Sequence, residues 1–189
     1  MKSLRYMLPV VLLALLTMVS AQSDMHKSVD KPAPSEAQKS FATMKTFAGE
    51  WEGPVAVPEM PEINSLKLHV AVRETSRGNA LVHELQEANT PLDPAKFDHP
   101  VTMIYVDGDK LNLIHYCDAG NRPHMVGKTS PDGKTVEFDF VDISGSTEKG
   151  NMQHAVFTYI DANHHTEEWT YLMPGNKPIH AHFDLQRTK

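Results

Sequence analysis

Apolar and polar residues alternate along most of this chain, as in strands that bury one face and expose the other. The runs 66–73, 135–140 and 179–186 carry apolar side chains at every second position. Turn sequences such as Asp107-Gly108-Asp109 and Pro131-Asp132-Gly133 separate successive runs. The predicted strands lie near residues 50–57, 65–74, 79–88, 101–107, 110–118, 123–129, 134–143, 152–161, 165–173 and 177–187.

Runs joined by tight turns form an antiparallel meander, which either closes into a barrel or splits into a sandwich. We favour closure and predict an all-β fold, an antiparallel up-and-down β-barrel of about 9–10 strands with a short N-terminal helix. Ser35 is a potential helix N-cap, Phe41, Met44 and Phe47 recur at helical spacing, and Gly49 ends the pattern. The apolar face of this helix is expected to cover one end of the barrel.

The first 21 residues have the pattern of a signal peptide. Lys2 and Arg5 precede an apolar run from Met7 to Val19, and small residues follow at a cleavage site after Ala21. Residues 1–21 are therefore predicted to direct export to the periplasm or the medium, 22–38 to form a flexible linker, and 39–189 to form the barrel domain. No later apolar run has the length of a membrane span, so we expect no membrane anchor.

Charge and cysteine content narrow the possible functions. The chain has a formal net charge of −6, and the cations Lys2 and Arg5 belong to the signal peptide. A nucleic-acid partner is not expected, because it needs a cationic surface. Cys117 is the sole cysteine, so it is either a small buried hydrophobic residue or a free thiol.

Known catalytic and metal-binding motifs are absent from the sequence, which has no G-x-S-x-G, phosphate-binding loop, H-E-x-x-H or C-x-x-C. We predict no catalytic residues. His180 and His182 fall on the polar phase of the last strand, and His164-His165 lies in a predicted turn. Neither cluster supplies the third and fourth ligands of a zinc site, so no metal site is predicted.

Side-chain phase predicts two histidines inside the barrel. Leu111 and Leu113 share a face with His115, whereas Tyr116 lies on the opposite face, and His83 shares its face with leucines on either side. These histidines could be hydrogen-bonded core residues, polar groups that orient a ligand, or ligands of a metal or haem iron. The phase of this strand has an alternative in which Tyr116 points inward.

The function predicted from these features is binding of a small, mostly apolar molecule inside the barrel. Arg122, in the polar loop after the histidine strand, is a candidate for the rim. The predicted ligand-binding residues are His83, His115, Tyr116, Arg122, Leu113, Phe138 and Phe140. Three alternatives stay open: a haem or metal protein using an inward histidine, an isomerase or hydrolase using His115 and Cys117, and a filled barrel that binds partners through its outer surface.

The stretch Gly49-Glu50-Trp51-Glu52-Gly53 resembles the G-x-W-x-G first strand of calycin barrels, the group of lipocalins and fatty-acid-binding proteins. The resemblance implies that Trp51 closes one end of the barrel, with Arg187 of the last strand packed across its ring. Residues 41–187 also resemble a family of exported bacterial proteins of unknown function with a calycin-like barrel. A more distant similarity to nitrobindin-like haem barrels implies haem as an alternative cofactor, with none otherwise expected.

Overall fold

The structure, a computed structural model, describes residues 33–189. The predicted signal peptide and most of the predicted linker lie outside the described residues. The helix and strands are α1 (Glu36–Lys45), β1 (Gly49–Ala56), β2 (Lys67–Thr75), β3 (Ala80–Glu87), β4 (Val101–Asp107), β5 (Lys110–Tyr116), β6 (Arg122–Thr129), β7 (Thr135–Ser144), β8 (Asn151–Asp161), β9 (His164–Met173) and β10 (Lys177–Arg187).

The ten strands form one closed antiparallel barrel. Each strand pairs with its neighbours in the chain, and β1 pairs with β10 to close the sheet. The prediction of an all-β, up-and-down barrel with a short helix is confirmed, and the alternative of a sandwich is excluded. No helix in residues 33–189 is long and apolar enough to cross a membrane.

Helix α1 begins earlier than the predicted domain boundary at residue 39. The Ser35 side chain accepts a hydrogen bond from the Gln38 backbone N–H, and the Gln38 side chain accepts one from the Ser35 N–H. This capping box satisfies two backbone donors at the helix start, which fixes the beginning of α1 at Glu36. Helix α1 thus takes in the last three residues of the predicted linker 22–38.

The apolar side of α1 covers one end of the barrel, which we call the closed end. Phe41, Met44 and Phe47 are buried in the same core as the barrel interior. The Phe47 ring meets Phe157 of β8 edge to face, with 6.0 Å between ring centroids. The helix contacts β4 to β7, so its apolar face is buried against the sheet that it closes.

The G-x-W-x-G stretch explains how β1 and β10 approach each other at the closed end. Trp51 is buried, and the Arg187 guanidinium lies 3.9 Å from its ring centroid. A Cβ atom at Gly53 would overlap the backbone carbonyl of Asp184, and one at Gly49 would overlap the Arg187 guanidinium. Both glycines are therefore required by close packing between the first and last strands.

Strand direction places the long connections at the opposite end, which we call the open end. Because β1 starts beside α1, the odd-numbered strands run away from the closed end. The β1–β2 and β3–β4 connections, 57–66 and 88–100, therefore lie at the open end, together with the short connections that follow β5, β7 and β9.

Candidate functional site

A cavity of about 480 Å³ occupies the open end of the barrel. Most of its wall is apolar, and its volume lies within the range of sites for small molecules. The lining residues are Met60, Ile63, His83, Leu85, Asp98, Pro100, His115, Cys117, Asp118, Met152, Trp169, Tyr171, Met173, Ile179, Ala181 and Phe183.

Two imidazoles reach the cavity from neighbouring parts of the sheet. His83 on β3 is paired with Thr102 on β4, and Thr102 is paired with His115 on β5. Side chains at directly opposed positions of adjacent strands point to the same face, so these three form an inward row. All three are buried, and the Thr102 hydroxyl lies 2.9 Å from Nδ1 of His115.

Glu167 on β9 is a fully buried carboxylate beneath this row. Its oxygens lie 3.0 and 3.1 Å from Nε2 of His83, and Oε1 lies 3.0 Å from Nε2 of His165. The indole N–H of Trp169 donates to Oε2 at 2.9 Å. Three ring nitrogens therefore surround one carboxylate, which is how a buried charge is satisfied in a barrel interior.

The surroundings of Glu167 favour its ionised form. Burial alone would raise the pKa of this carboxyl, but the charge and hydrogen bond of His83 and those of His165 together hold it below its ordinary value. An ionised carboxylate only accepts hydrogen bonds, so the hydrogens of both imidazoles are assigned to Nε2. In a neutral ring, Nδ1 is then an acceptor.

The remaining ring nitrogens of His83 and His165 differ in their environments. His165 is enclosed by Trp51 and Phe47, with 4.2 and 5.0 Å between ring centroids, and its Nδ1 is buried without a partner in the described chain. Nδ1 of His83 also has no hydrogen bond within residues 33–189, but this imidazole lines the cavity. A ligand could therefore reach the His83 ring, whereas His165 is sealed in the core.

His115 is the other imidazole in the cavity wall. Burial, with a contribution from nearby His83, lowers the pKa of His115 to about 4, so the ring is neutral at pH 7. Thr102 engages Nδ1, and no hydrogen bond of the described residues engages Nε2. The Trp169 indole lies between the two imidazoles, 5.6 Å from the ring of His115 and 5.7 Å from that of His83.

The mouth of the cavity carries two carboxylates and a thiol. Burial raises the pKa of Asp98, and the neighbouring Asp118 raises it further. Burial likewise raises the pKa of the Cys117 thiol, with the two aspartates adding to the shift. A cysteine nucleophile needs a lowered pKa, so this environment opposes an enzyme that uses Cys117.

The predicted ligand-binding residues fall into separate regions. His83 and His115 line the cavity. Leu113 and Phe138 belong to the packed core, and Phe140 is partly buried against that core. These three side chains point inward, but none of them is part of the cavity wall.

Tyr116 and Arg122 lie outside the barrel interior. Tyr116 is 42% exposed and faces a surface groove beside residues 94–99. The alternative phase with Tyr116 inward is therefore wrong, because His115 occupies the interior position. Arg122 is exposed at the first position of β6 and does not line the cavity.

Sequence reasoning missed the carboxylate that organises the site. Glu167 and Glu168 are adjacent on β9 and face opposite sides, and Glu167 is the buried one. The sequence did contain a signal for this inward position: Glu167 lies two residues before the large aromatic Trp169, and residues two apart on a strand share a face. His165 was predicted both in the turn at 164–165 and as the first residue of the strand 165–173. It lies in β9 and points inward, which also follows from this phase.

Potential metal-ligating groups lie on the outer surface. Among the described residues, Glu137, Asp139 and His154 form a cluster of three such side chains. Lys128 occupies this cluster, with Nζ 3.4 Å from Glu137 and 3.5 Å from Asp139. His180 is bound instead to Glu59, with Nδ1 2.7 Å from Oε1.

Comparison with known proteins shows the fold and no family. No protein-family model matches the chain, and no curated protein matches it. The crystal structure of Rv2717c from M. tuberculosis is similar, with 17% sequence identity, a TM-score of 0.57, and coverage of 84% of this chain and 100% of that one. A protein of unknown function of the DUF3598 family from Nostoc punctiforme also matches, at 8% identity and a TM-score of 0.24, covering 82% of this chain and all of that one. This chain is thus a ten-stranded antiparallel β-barrel similar in fold to Rv2717c.

Proposed function

We propose that this protein is an exported barrel that binds a small, mostly apolar molecule in the cavity at its open end. The observation that carries the proposal is an apolar cavity of about 480 Å³ whose wall contains two buried imidazoles. Apolar walls supply affinity at about 25 cal/mol per Å² buried, and a few polar groups set orientation. No reaction, nucleic-acid partner or membrane anchor is part of this proposal.

The architecture supports binding in the cavity rather than a filled barrel. Core packing leaves few voids larger than a water molecule, and the interior towards the closed end follows that rule. Towards the open end, Leu85, Ala181 and Phe183 surround unfilled space. Burying these walls against a ligand would add the apolar contacts that the protein itself does not provide there.

Haem is the second candidate, because His115 offers an Nε2 with no partner in the described chain. Imidazole is a suitable ligand for haem iron. The rim fits the two propionates poorly, because Asp98 and Asp118 are at the mouth and no Lys or Arg of the described residues lines the cavity. The His115 imidazole therefore suits the iron, but the acidic rim does not suit the propionates of haem. No step of the proposed function uses haem.

The test is a titration of the signal-cleaved protein with aminoanthracene, a neutral apolar fluorophore. We expect a saturable increase in emission at one dye per chain. Ala181→Phe fills the cavity wall without removing a polar group, so the affinity should fall by at least about tenfold. Ala71→Phe is the matched control, because Ala71 lies on β2 between the inward residues Val70 and Val72 and so faces outward.

Either of two results would overturn the proposal. The dye could fail to saturate at one equivalent, or Ala181→Phe could bind it as tightly as the wild-type protein and Ala71→Phe do. A parallel titration with hemin separates the second candidate. If hemin gives a Soret band with the wild-type protein that is lost in His115→Leu, haem replaces the apolar molecule as the proposed ligand.

A further inference from the structure

We infer that the cavity selects apolar molecules with a hydroxyl head group and rejects those with a carboxylate. This inference rests on the proposed function and names the class of ligand for the same site. The geometry that points to it is the combination of two unengaged imidazole nitrogens in the wall with carboxylates beneath the wall and at its mouth.

Two ring nitrogens in the cavity wall are available for hydrogen bonds to a ligand. Glu167 accepts a hydrogen bond from Nε2 of His83, so Nδ1 accepts a hydrogen bond when the ring is neutral and donates one when the ring is charged. Nε2 of His115 is the second unengaged nitrogen, because Thr102 engages Nδ1. Neither nitrogen is among the buried atoms without a partner in the described chain, so solvent in the cavity can reach both. A ligand that covers them with apolar surface leaves them without a hydrogen bond, so a ligand with a polar group at that place binds more tightly.

These two nitrogens identify the head group. A hydroxyl both donates and accepts, so it can serve Nδ1 of His83 and either tautomer of His115. It is also uncharged, so it enters an apolar cavity at a lower desolvation cost than an ion. An alcohol or a phenol is therefore the head group that satisfies this pair of nitrogens.

The charged groups around the cavity are mostly acidic. Among the described residues, the cavity wall contains Asp98 and Asp118 but no Lys or Arg, and ionised Glu167 lies behind His83. The pKa of Asp98 is already raised by burial and by Asp118, so a third carboxylate at the mouth would add to existing repulsion. Lys149 and Lys96 lie beside the mouth but not in the cavity wall: Nζ of Lys149 donates to the Asp118 backbone carbonyl at 2.9 Å, and Lys96 pairs with Asp93 at 3.3 Å.

The experiment compares four compounds that share one apolar body: pentylbenzene, para-pentylphenol, para-pentylbenzoate and para-pentylbenzylammonium. Each displaces aminoanthracene from the wild-type protein at neutral pH. We expect the phenol to bind about tenfold more tightly than pentylbenzene, as one satisfied hydrogen bond predicts. The benzoate should bind at least about tenfold more weakly than the phenol, and the ammonium compound should also bind less tightly than the phenol.

Two sets of variants assign the selectivity to residues. His115→Leu should reduce the ratio of the phenol affinity to the pentylbenzene affinity. The double variant Asp98→Asn, Asp118→Asn should increase the ratio of the benzoate affinity to the pentylbenzene affinity. Asp109→Asn, in the exposed β4–β5 turn at the closed end, is the matched control and should alter neither preference. His83 is left intact because its loss would leave Glu167 short of a donor.

The outcomes separate this inference from the proposed function. If the dye does not bind in the cavity, the proposed function fails. If the dye binds but none of the four compounds displaces it, the proposed function stands and this inference fails. If pentylbenzene competes but the phenol gains nothing over it, the hydroxyl preference is wrong. Benzoate binding as tight as that of the phenol would overturn the rejection of carboxylates. Binding of the ammonium compound more tightly than the phenol would overturn the hydroxyl preference and show that the aspartates at the mouth recognise the head group.

Discussion

The two ends of this barrel are built from the same ten strands and differ in what fills them. At the closed end, Phe47 and Trp51 are almost completely buried, and Arg187 covers the Trp51 ring. At the open end, Met60 and Met173 are 37% and 41% exposed around an unfilled cavity. Helix α1 and the side chains of Phe47 and Trp51 complete the core at one end, whereas at the other end Trp169 and Phe183 line a cavity that they do not fill.

The two ends are joined by buried polar groups. Glu167 accepts hydrogen bonds from His165, which packs against Trp51 at the closed end, and from His83, which lines the cavity. The same carboxylate holds Trp169, another residue of the cavity wall. The floor of the site is therefore fixed by the packed end, while its walls have room for a ligand.

The largest expected effect comes from the packed end. Trp51→Ala should lower the free energy of unfolding by about 3–5 kcal/mol, because it removes a large buried aromatic ring and leaves a cavity. Met173→Ala, at the half-exposed rim of the open end, should lower it by less than about 1 kcal/mol. Urea unfolding followed by circular dichroism measures both. Equal losses in the two variants would contradict the contrast between the ends.

Acid should lower the free energy of unfolding through His115, which lines the cavity at the open end. The native pKa of about 4 lies below the ordinary value of 6.5, so between these values the unfolded state binds a proton that the native state does not. The free energy of unfolding is therefore not reduced by His115 above pH 6.5, and it falls as the pH falls from 6.5 towards 4. At about 1.4 kcal/mol per pKa unit, the loss approaches roughly 3 kcal/mol.

The control for this effect is His115→Gln, which keeps a hydrogen-bonding side chain beside Thr102 and does not titrate. The difference between the unfolding free energies of the two proteins should change across the pH 4 to 6.5 window and become constant above it. Glu167 also loses stability as the pH falls below its ordinary pKa of 4.5, at the lower end of this window, but both proteins keep Glu167, so its contribution cancels in the difference. Parallel curves for wild type and variant across the window would refute the assignment to His115.

A smaller effect is expected where Arg187 seals the closed end. Its guanidinium donates to the carbonyls of Ala48 and Ala162, each at 2.7 Å, while stacking on Trp51. Arg187→Lys keeps the charge but loses the planar fork, so it should lower the unfolding free energy by about 1–2 kcal/mol. Binding of aminoanthracene at the open end should not change.

Arg73→Lys is the matched control for that substitution. Arg73 forms an exposed ion pair with Glu84 at 3.3 Å, and exposed pairs contribute about 0–1 kcal/mol. Chemical denaturation of the two variants side by side gives the comparison. A loss in Arg73→Lys as large as that in Arg187→Lys would show that the sealing contacts contribute nothing special.

The sequence predicts the fold well because side-chain alternation reports which face of a strand is buried. The ten strands and the helix after Ser35 follow from that period and from turn residues. The same period places His83 and His115 inside. Alternation does not report height along the barrel axis, which depends on how the strands are staggered. Leu113 and Phe138 thus share the face of the histidines but belong to the packed core.

The rest of the site depends on features that alternation cannot encode. Met60 and Asp98 reach the cavity from irregular connections, whose course is set by tertiary packing. Glu167 is an acidic residue that sequence reasoning assigns to solvent unless its three donors are known. Those donors come from β3 and β9, strands far apart in the chain, so the exception is visible only once the barrel is closed.

Closure between β1 and β10 also constrains when this protein can fold. The hydrogen bond from Arg187 to the Ala48 carbonyl joins residues 139 positions apart, and every strand between them must be present before the seam forms. Contacts so distant in sequence make folding slow, on the order of milliseconds to seconds. A nascent chain therefore leaves the edge of β1 without its partner until β10 has been synthesised. The final strand, rather than the first, sets the moment at which the cavity comes into existence.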